Sequence, residues 1–169
     1  MQLYKNFWSK KTLDFLKQKT DNFFADKLPL HLQYVRWKKY LWYDSGPILI
    51  HVIDKDLEDI KEELNKLNDM SQVKHMGVYL YFWLPGSYIT WHDDNKAKFI
   101  STTYLNKEWN RNWGGALLHH DEIDKEKVHV DFPEYNKMIV NDSKKKTLHA
   151  TTIVAHSAPP RITLQIFCN

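Results

Sequence analysis

The sequence predicts an α+β fold, with two amphipathic helices buttressing seven or eight short, mainly antiparallel strands in a sandwich or open barrel. Two stretches with helical apolar spacing, both early in the chain, argue for the helices. Short runs rich in Val, Ile, Tyr, Phe and Trp, punctuated by Gly, Pro, Asn and Asp, argue for the strands. The first helix spans 9–25, with Ser9 as N-cap and Leu13, Leu16, Phe23 and Phe24 on or near one face. The second spans 56–68, where Asp56 and Asp59 resemble a capping box and Leu57, Ile60, Leu64 and Leu67 form a stripe. Strands are predicted at 33–43, 47–53, 76–84, 99–105, 114–119, 137–141, 148–154 and 161–167, with a hairpin turn at 43–47. In the last strand Arg161, Thr163 and Gln165 share one face, and Ile162, Leu164 and Ile166 the other. The aliphatic face can pack on helices, which turns the polar face into the barrel. An inward arginine needs an anionic partner, so the pattern predicts a pocket for an acid.

Composition narrows the function. The chain has 169 residues, including seven Trp, nine Tyr, eight Phe and one cysteine, Cys168. No repeat or Gly/Ser/Pro linker divides it, so it reads as one domain over 1–169, with a helical buttress over about 1–70 and a core of strands over about 76–167. No apolar run reaches the length of a membrane span, and the opening MQLYKNFWSKKTLDF lacks the apolar segment of a secretory signal. A single cysteine excludes a disulfide framework and a cysteine-rich zinc site, and makes the cytoplasm the expected location. The formal net charge is +3, but only Arg36, Arg111 and Arg161 are arginines. A phosphate-reading surface favours arginine forks, so no nucleic-acid partner is expected. Lys144, Lys145 and Lys146 read as a solvated hairpin tip.

Three H-x-D triplets occur, at His92/Asp94, His119/Asp121 and His129/Asp131. His92 ends the apolar run VYLYFWLPGSYITWH, which would set it on a rigid rim. The other two flank the charged stretch HHDEIDKEKVHVD, which reads as a solvated hairpin. Two histidines and one carboxylate on one face of a metal leave three positions open, the facial triad of non-haem Fe(II) oxygenases. Two of those positions can chelate a 2-oxo acid and the third can take O2. His149, on the predicted strand 148–154, fits as the second histidine. Arg161, one strand and one turn further on, fits as the fork that grips the far carboxylate of the acid.

A longer pattern joins these residues. It runs through Leu84-Pro85-Gly86, Tyr88, His92-x-Asp94, Tyr104-Leu-Asn-Lys-Glu-Trp109, Gly114-Gly115-x-Leu117, Pro133-x-x-Asn136, His149 and Arg161-x-Thr163. Over about 78–167 it resembles the 2-oxoglutarate/Fe(II)-dependent dioxygenases of the prolyl 4-hydroxylase-like superfamily, in particular the hypoxia-type prolyl hydroxylases and their bacterial and phage relatives. The resemblance implies a double-stranded β-helix (jelly-roll) core with helices on one face. It implies His92, Asp94 and His149 as iron ligands and Arg161 as the residue that grips the C5 carboxylate of 2-oxoglutarate. Tyr104 matches the tyrosine that hydrogen-bonds the same carboxylate, and Thr163 the hydroxyl residue two places after the arginine. The implied cofactors are Fe(II), 2-oxoglutarate as cosubstrate and O2, with ascorbate as a stimulant.

The implied reaction hydroxylates an unactivated C–H bond, in the first instance of a prolyl residue in a protein or peptide. A free amino acid or small metabolite is the alternative substrate, and a non-catalytic acid- or metal-binding barrel the alternative class. Asp94 fills the position that a halogenase leaves vacant for chloride. Leu84 stands where some relatives carry a tyrosine, so one cosubstrate contact is expected to be missing. Phe167 stands where alkylation-repair demethylases carry another arginine. The chain ends eight residues after Arg161, so no C-terminal helix is expected to cover a peptide substrate.

Overall fold

Alternating apolar residues sort the strands into two antiparallel sheets. The structure is a computed structural model and describes residues 1–25, 45–46, 48–67, 73–94, 97–142 and 147–169. The predicted strand 33–43, Arg36, the lysine run at 144–146 and most of the turn at 43–47 lie outside the described residues. In chain order the elements are β1 (Gln2–Lys5), α1 (Lys10–Phe24), β2 (Ile48–Ile53), α2 (Glu58–Leu64), β3 (Met76–Trp83), β4 (Ile89–His92) and β5 (Phe99–Tyr104). A short 3-10 turn (Arg111–Trp113) leads to β6 (Leu117–His120), β7 (Val128–Asp131), β8 (Lys137–Asp142), β9 (His149–Thr151) and β10 (Arg161–Cys168). One sheet has six strands in the order β1-β8-β5-β10-β3-β2, the other four in the order β4-β9-β6-β7. This is the expected α+β class, with a jelly-roll core. Among the described residues no helix is long and apolar enough to cross a membrane.

The helices cover the outer face of the six-stranded sheet. Leu16 and Phe23 of α1 and Ile60 and Leu64 of α2 share a core with Leu80, Phe82, Met138, Val140, Leu164 and Ile166. Phe23 stacks flat on Phe82 at 3.8 Å, while its neighbour Phe24, placed by spacing on the same face, is half exposed. The even-numbered residues of β10 thus face the helices, and Arg161, Thr163 and Gln165 turn inward, as their alternation predicts. The inner wall is closed at one end, where Ile48, Trp83, Tyr104 and Arg161 are all 2% exposed or less, and opens towards Val52 at 43%.

Ser9 caps α1 as predicted, its side chain accepting from the Thr12 amide. A second cap comes from outside the helix. Glu63 of α2 accepts hydrogen bonds from the Ser9 amide at 2.8 Å, the Ser9 hydroxyl at 2.6 Å and the Thr12 hydroxyl at 2.5 Å. The cap predicted for α2 itself does not form. That helix begins at Glu58 after an uncapped Leu57, and it ends at Leu64. Asp56 has a left-handed backbone, φ 59°, and Asp59 is taken by Lys11 of α1 at 2.7 Å.

Burial raises the Glu63 carboxyl, but three hydrogen bonds from Ser9 and Thr12 outweigh it and hold it below its ordinary value. A depressed folded pKa contributes stability above the unfolded pKa, and this stability is lost as pH falls through the folded one. Glu63→Gln is therefore expected to cost about 1–3 kcal/mol at neutral pH and to flatten the acid side of a Tm-against-pH curve.

Three strands escaped the sequence reading. β1 is short and mostly exposed, β4 follows Pro85-Gly86 within one apolar run, and β7 alternates Val with His and Asp inside the charged stretch. The strand predicted at 114–119 begins only at Leu117, because Gly114 and Gly115 adopt positive φ of 65° and 64°. The strand predicted at 148–154 shrinks to three residues, with Val154 held in an isolated bridge to Gly114.

Candidate active site

His92 and His149 lie directly opposite each other on β4 and β9, which puts both imidazoles on one face of the smaller sheet. A register shift between Ile89 and His92 bends β4 just before the first histidine. Asp94 follows two residues later, past the strand end. Its Oδ2 lies 2.9 Å from His149 Nε2, and its Oδ1 lies 3.8 Å from His92 Nε2. One ligand atom from each of the three residues falls within 4.8 Å of the others.

Both rings are oriented from behind. His92 Nδ1 lies 2.8 Å from the Thr90 carbonyl and His149 Nδ1 lies 3.1 Å from the Thr147 carbonyl. A carbonyl only accepts, so each Nδ1 carries a proton and each Nε2 is the atom turned to the centre, where that of His149 donates to Asp94. Burial raises the Asp94 carboxyl, but the His149 hydrogen bond and the charges of both imidazoles outweigh it and hold it low. Burial pulls His149 down, yet Asp94 more than restores it, and its value is raised. Burial and the neighbouring His149 lower His92. Two neutral-capable nitrogens and one carboxylate, closely spaced and aimed at one point, suit a divalent ion of the Fe(II) type.

The row of histidines continues past the centre. His119 on β6 pairs with His149, and His129 on β7 pairs with His119. The two remaining H-x-D triplets do form the expected hairpin, but they exchange partners across it. His119 Nε2 meets Asp131 at 3.2 Å and His129 Nε2 meets Asp121 at 2.7 Å. Among the described residues they join no group of three or more close ligand atoms.

The triad and Arg161 line one pocket between the sheets, together with Trp83, Gln165, Ile89, Ile100 and Leu117. Arg161 is fully buried, and its Nε and Nη1 have no hydrogen-bond partner among the described residues. Its guanidinium lies 4.6 Å from the Trp83 ring centre and 5.0 Å from that of Tyr104. The Tyr104 hydroxyl is also buried and makes no well-formed hydrogen bond among the described residues; burial pushes it up, against the charge and close approach of Arg161. Three orphaned polar atoms around one buried cation match the needs of a carboxylate. Thr163 sits behind this wall: its hydroxyl accepts from Trp83 Nε1 at 3.0 Å and Gln165 Nε2 at 3.4 Å. Gln165, two residues further along the inward face, reaches the pocket and accepts from Thr102 at 2.9 Å. Trp83 and Gln165 carried no chemical signal in the sequence beyond their place in the alternation.

Comparison with known proteins gives one consistent family. The fold matches a Pseudomonas putida prolyl-4-hydroxylase with a TM-score of 0.74 at 15% identity, over 99% of this chain and 91% of that one. It matches a Trichoplax adhaerens prolyl hydroxylase in complex with a hypoxia-inducible factor peptide with a TM-score of 0.78 at 14% identity, over 99% and 82%. A Burkholderia pseudomallei oxidoreductase of the 2OG-Fe(II) oxygenase family gives 0.57 at 17% identity, over 90% and 78%. No curated protein matches the sequence. The family model of the 2OG-Fe(II) oxygenase superfamily matches residues 76–169, which holds the triad, Tyr104 and Arg161. On that match the chain belongs to the 2OG-Fe(II) oxygenase superfamily, the oxygenases that work with Fe(II), 2-oxoglutarate and O2.

Proposed function

We propose that this protein is a hydroxylase acting on a prolyl residue in a protein or peptide. The observation that carries the oxygenase chemistry is one pocket holding the His92–Asp94–His149 triad beside a buried, unpartnered Arg161. The prolyl assignment is supported by two structural neighbours named as prolyl hydroxylases, one of them with a peptide bound.

The geometry supports the following roles. His92 and His149 would hold the metal through Nε2, their rings oriented by the carbonyls behind them, and Asp94 would supply the charged ligand. When bound, Fe(II) supplies the oxidising chemistry, in which 2-oxoglutarate and O2 become succinate and CO2 and one oxygen enters a C–H bond of the substrate. Arg161 and Tyr104 hold the far carboxylate of 2-oxoglutarate at the closed end of the barrel, where the loss of water strengthens the contact. Ile89, Ile100 and Leu117 give the same pocket apolar lining that disfavours water.

The test is aerobic incubation with Fe(II), 2-oxoglutarate and a library of prolyl peptides, read by mass spectrometry. Succinate together with peptides heavier by one oxygen atom is the expected result. Succinate with oxygen entering only free amino acids or small metabolites would replace the prolyl assignment, and no succinate under any condition would make the barrel a binding module.

A further inference from the structure

Two residues of the stretch 106–115 approach Arg161 without lining the pocket. The Asn106 side chain bonds to the backbone on both sides of Arg161. Its Oδ1 accepts from the Ile162 amide at 2.7 Å, and its Nδ2 donates to the Pro160 carbonyl at 3.0 Å. A strand ladder would bond every second residue, so one side chain straddling the first residue of β10 fixes the point from which Arg161 departs.

Gly115 guards the path the side chain then takes. A Cβ built on Gly115 would lie 2.8 Å from Arg161 Cδ, closer than real contacts allow, and 3.3 Å from the Trp109 ring. The left-handed φ of 64° at Gly115 also disfavours any other residue. Trp109 is itself fixed, its Nε1 donating to the Gly114 carbonyl at 2.9 Å. Asn106, Trp109 and Gly115 come from 106–115, a stretch that supplies no pocket-lining residue.

We propose that Asn106 and Gly115 are positioning residues for Arg161. Asn106 pins the backbone at the root of the arginine, and Gly115 leaves room for its aliphatic stem, so that the guanidinium meets the distal carboxylate of a 2-oxo diacid. The inference rests on the reading that Arg161 binds that carboxylate. It assigns no contact with the ligand to either residue.

The experiment compares two acids on the Mn(II)-loaded protein by titration calorimetry: 2-oxoglutarate, and 2-oxobutanoate, which lacks the distal carboxylate. Asn106→Ala is expected to weaken 2-oxoglutarate binding about tenfold, from two neutral hydrogen bonds lost, with 2-oxobutanoate and Mn(II) binding unchanged. Gly115→Ala is expected to weaken 2-oxoglutarate further. Should it fail to fold, Asn106→Asp serves instead, since it keeps the acceptor for Ile162 and loses the donor to Pro160. An equal shift for both acids, or no shift for either, would overturn the inference, because a loosened fold does not single out one carboxylate. Wild-type protein that binds neither acid would overturn the functional reading itself, and this inference with it.

Discussion

Arg161→Met is expected to make the ligand-free protein more stable and blind to 2-oxoglutarate. The arginine is 1% exposed, and its Nε and Nη1 find no partner among the described residues. Among the described residues the rings of Trp83 and Tyr104 lie against the charge, each worth about 0.5–2 kcal/mol. A buried cation without a counter-ion costs more than that, and an apolar side chain of similar length removes the cost. Thermal melts should therefore show a higher Tm for the variant alone. Saturating 2-oxoglutarate at 100 times its Kd should stabilise the wild type by about 2.7 kcal/mol and leave the variant unmoved. Arg161→Lys keeps the charge but not the planar fork. Losing one charge-assisted hydrogen bond of about 1.5–3 kcal/mol predicts a 2-oxoglutarate KM raised roughly 10- to 150-fold, with normal iron content. A lower Tm for Arg161→Met together with an unchanged KM would show that the cation serves the fold alone.

His149→Ala and His92→Ala are each expected to abolish turnover and leave the circular dichroism spectrum of the protein intact. Each removes one of three ligands, so the loss in metal affinity should exceed the roughly 10- to 100-fold typical of outer-shell partners. His119→Ala is the control. It sits one rung further along the same sheet, bonded to Asp131, and should leave metal content unchanged. Metal lost in His119→Ala and kept in His92→Ala would move the centre to the hairpin. The Asp94–His149 contact adds a pH dependence. The metal must displace the proton that Asp94 stabilises on His149, so affinity should fall as pH drops through that raised value.

The strand alternation made much of this site legible. Arg161, Thr163 and Gln165 could be placed on an inward face because Ile162, Leu164 and Ile166 demand the helical side. His92 could be preferred over His119 and His129 because it ends an apolar run, whereas the other two sit in a charged one. What stayed hidden depends on contacts distant in sequence. The cap that Glu63 gives α1 reaches across 54 residues, and no local pattern announces it. Asp56 and Asp59 mimic a capping box, yet Lys11 of another helix claims Asp59. Thr163 was legible as inward, but its engagement by Trp83 depends on the register of β10 against β3. The pair Gly114-Gly115 looked like strand and proved to be a left-handed link, because backbone sign is invisible wherever glycine permits both.

The central place of β10 in the larger sheet has a kinetic consequence. It is the last of the ten described strands in chain order, yet it lies between β5 and β3 and pairs with both. Until it docks, β3 and β5 face each other across a gap, and the loops to be closed are long. Such non-local pairing makes for slow folding on the millisecond-to-second scale and leaves hydrophobic strand edges bare in the interval. Arg161 arrives with the same strand, so an intermediate lacking β10 has neither a closed sheet nor an anchor for the acid. An acid held by Arg161 can therefore stabilise only molecules in which β10 has docked, and refolding yield should rise with its concentration while the early collapse rate stays constant.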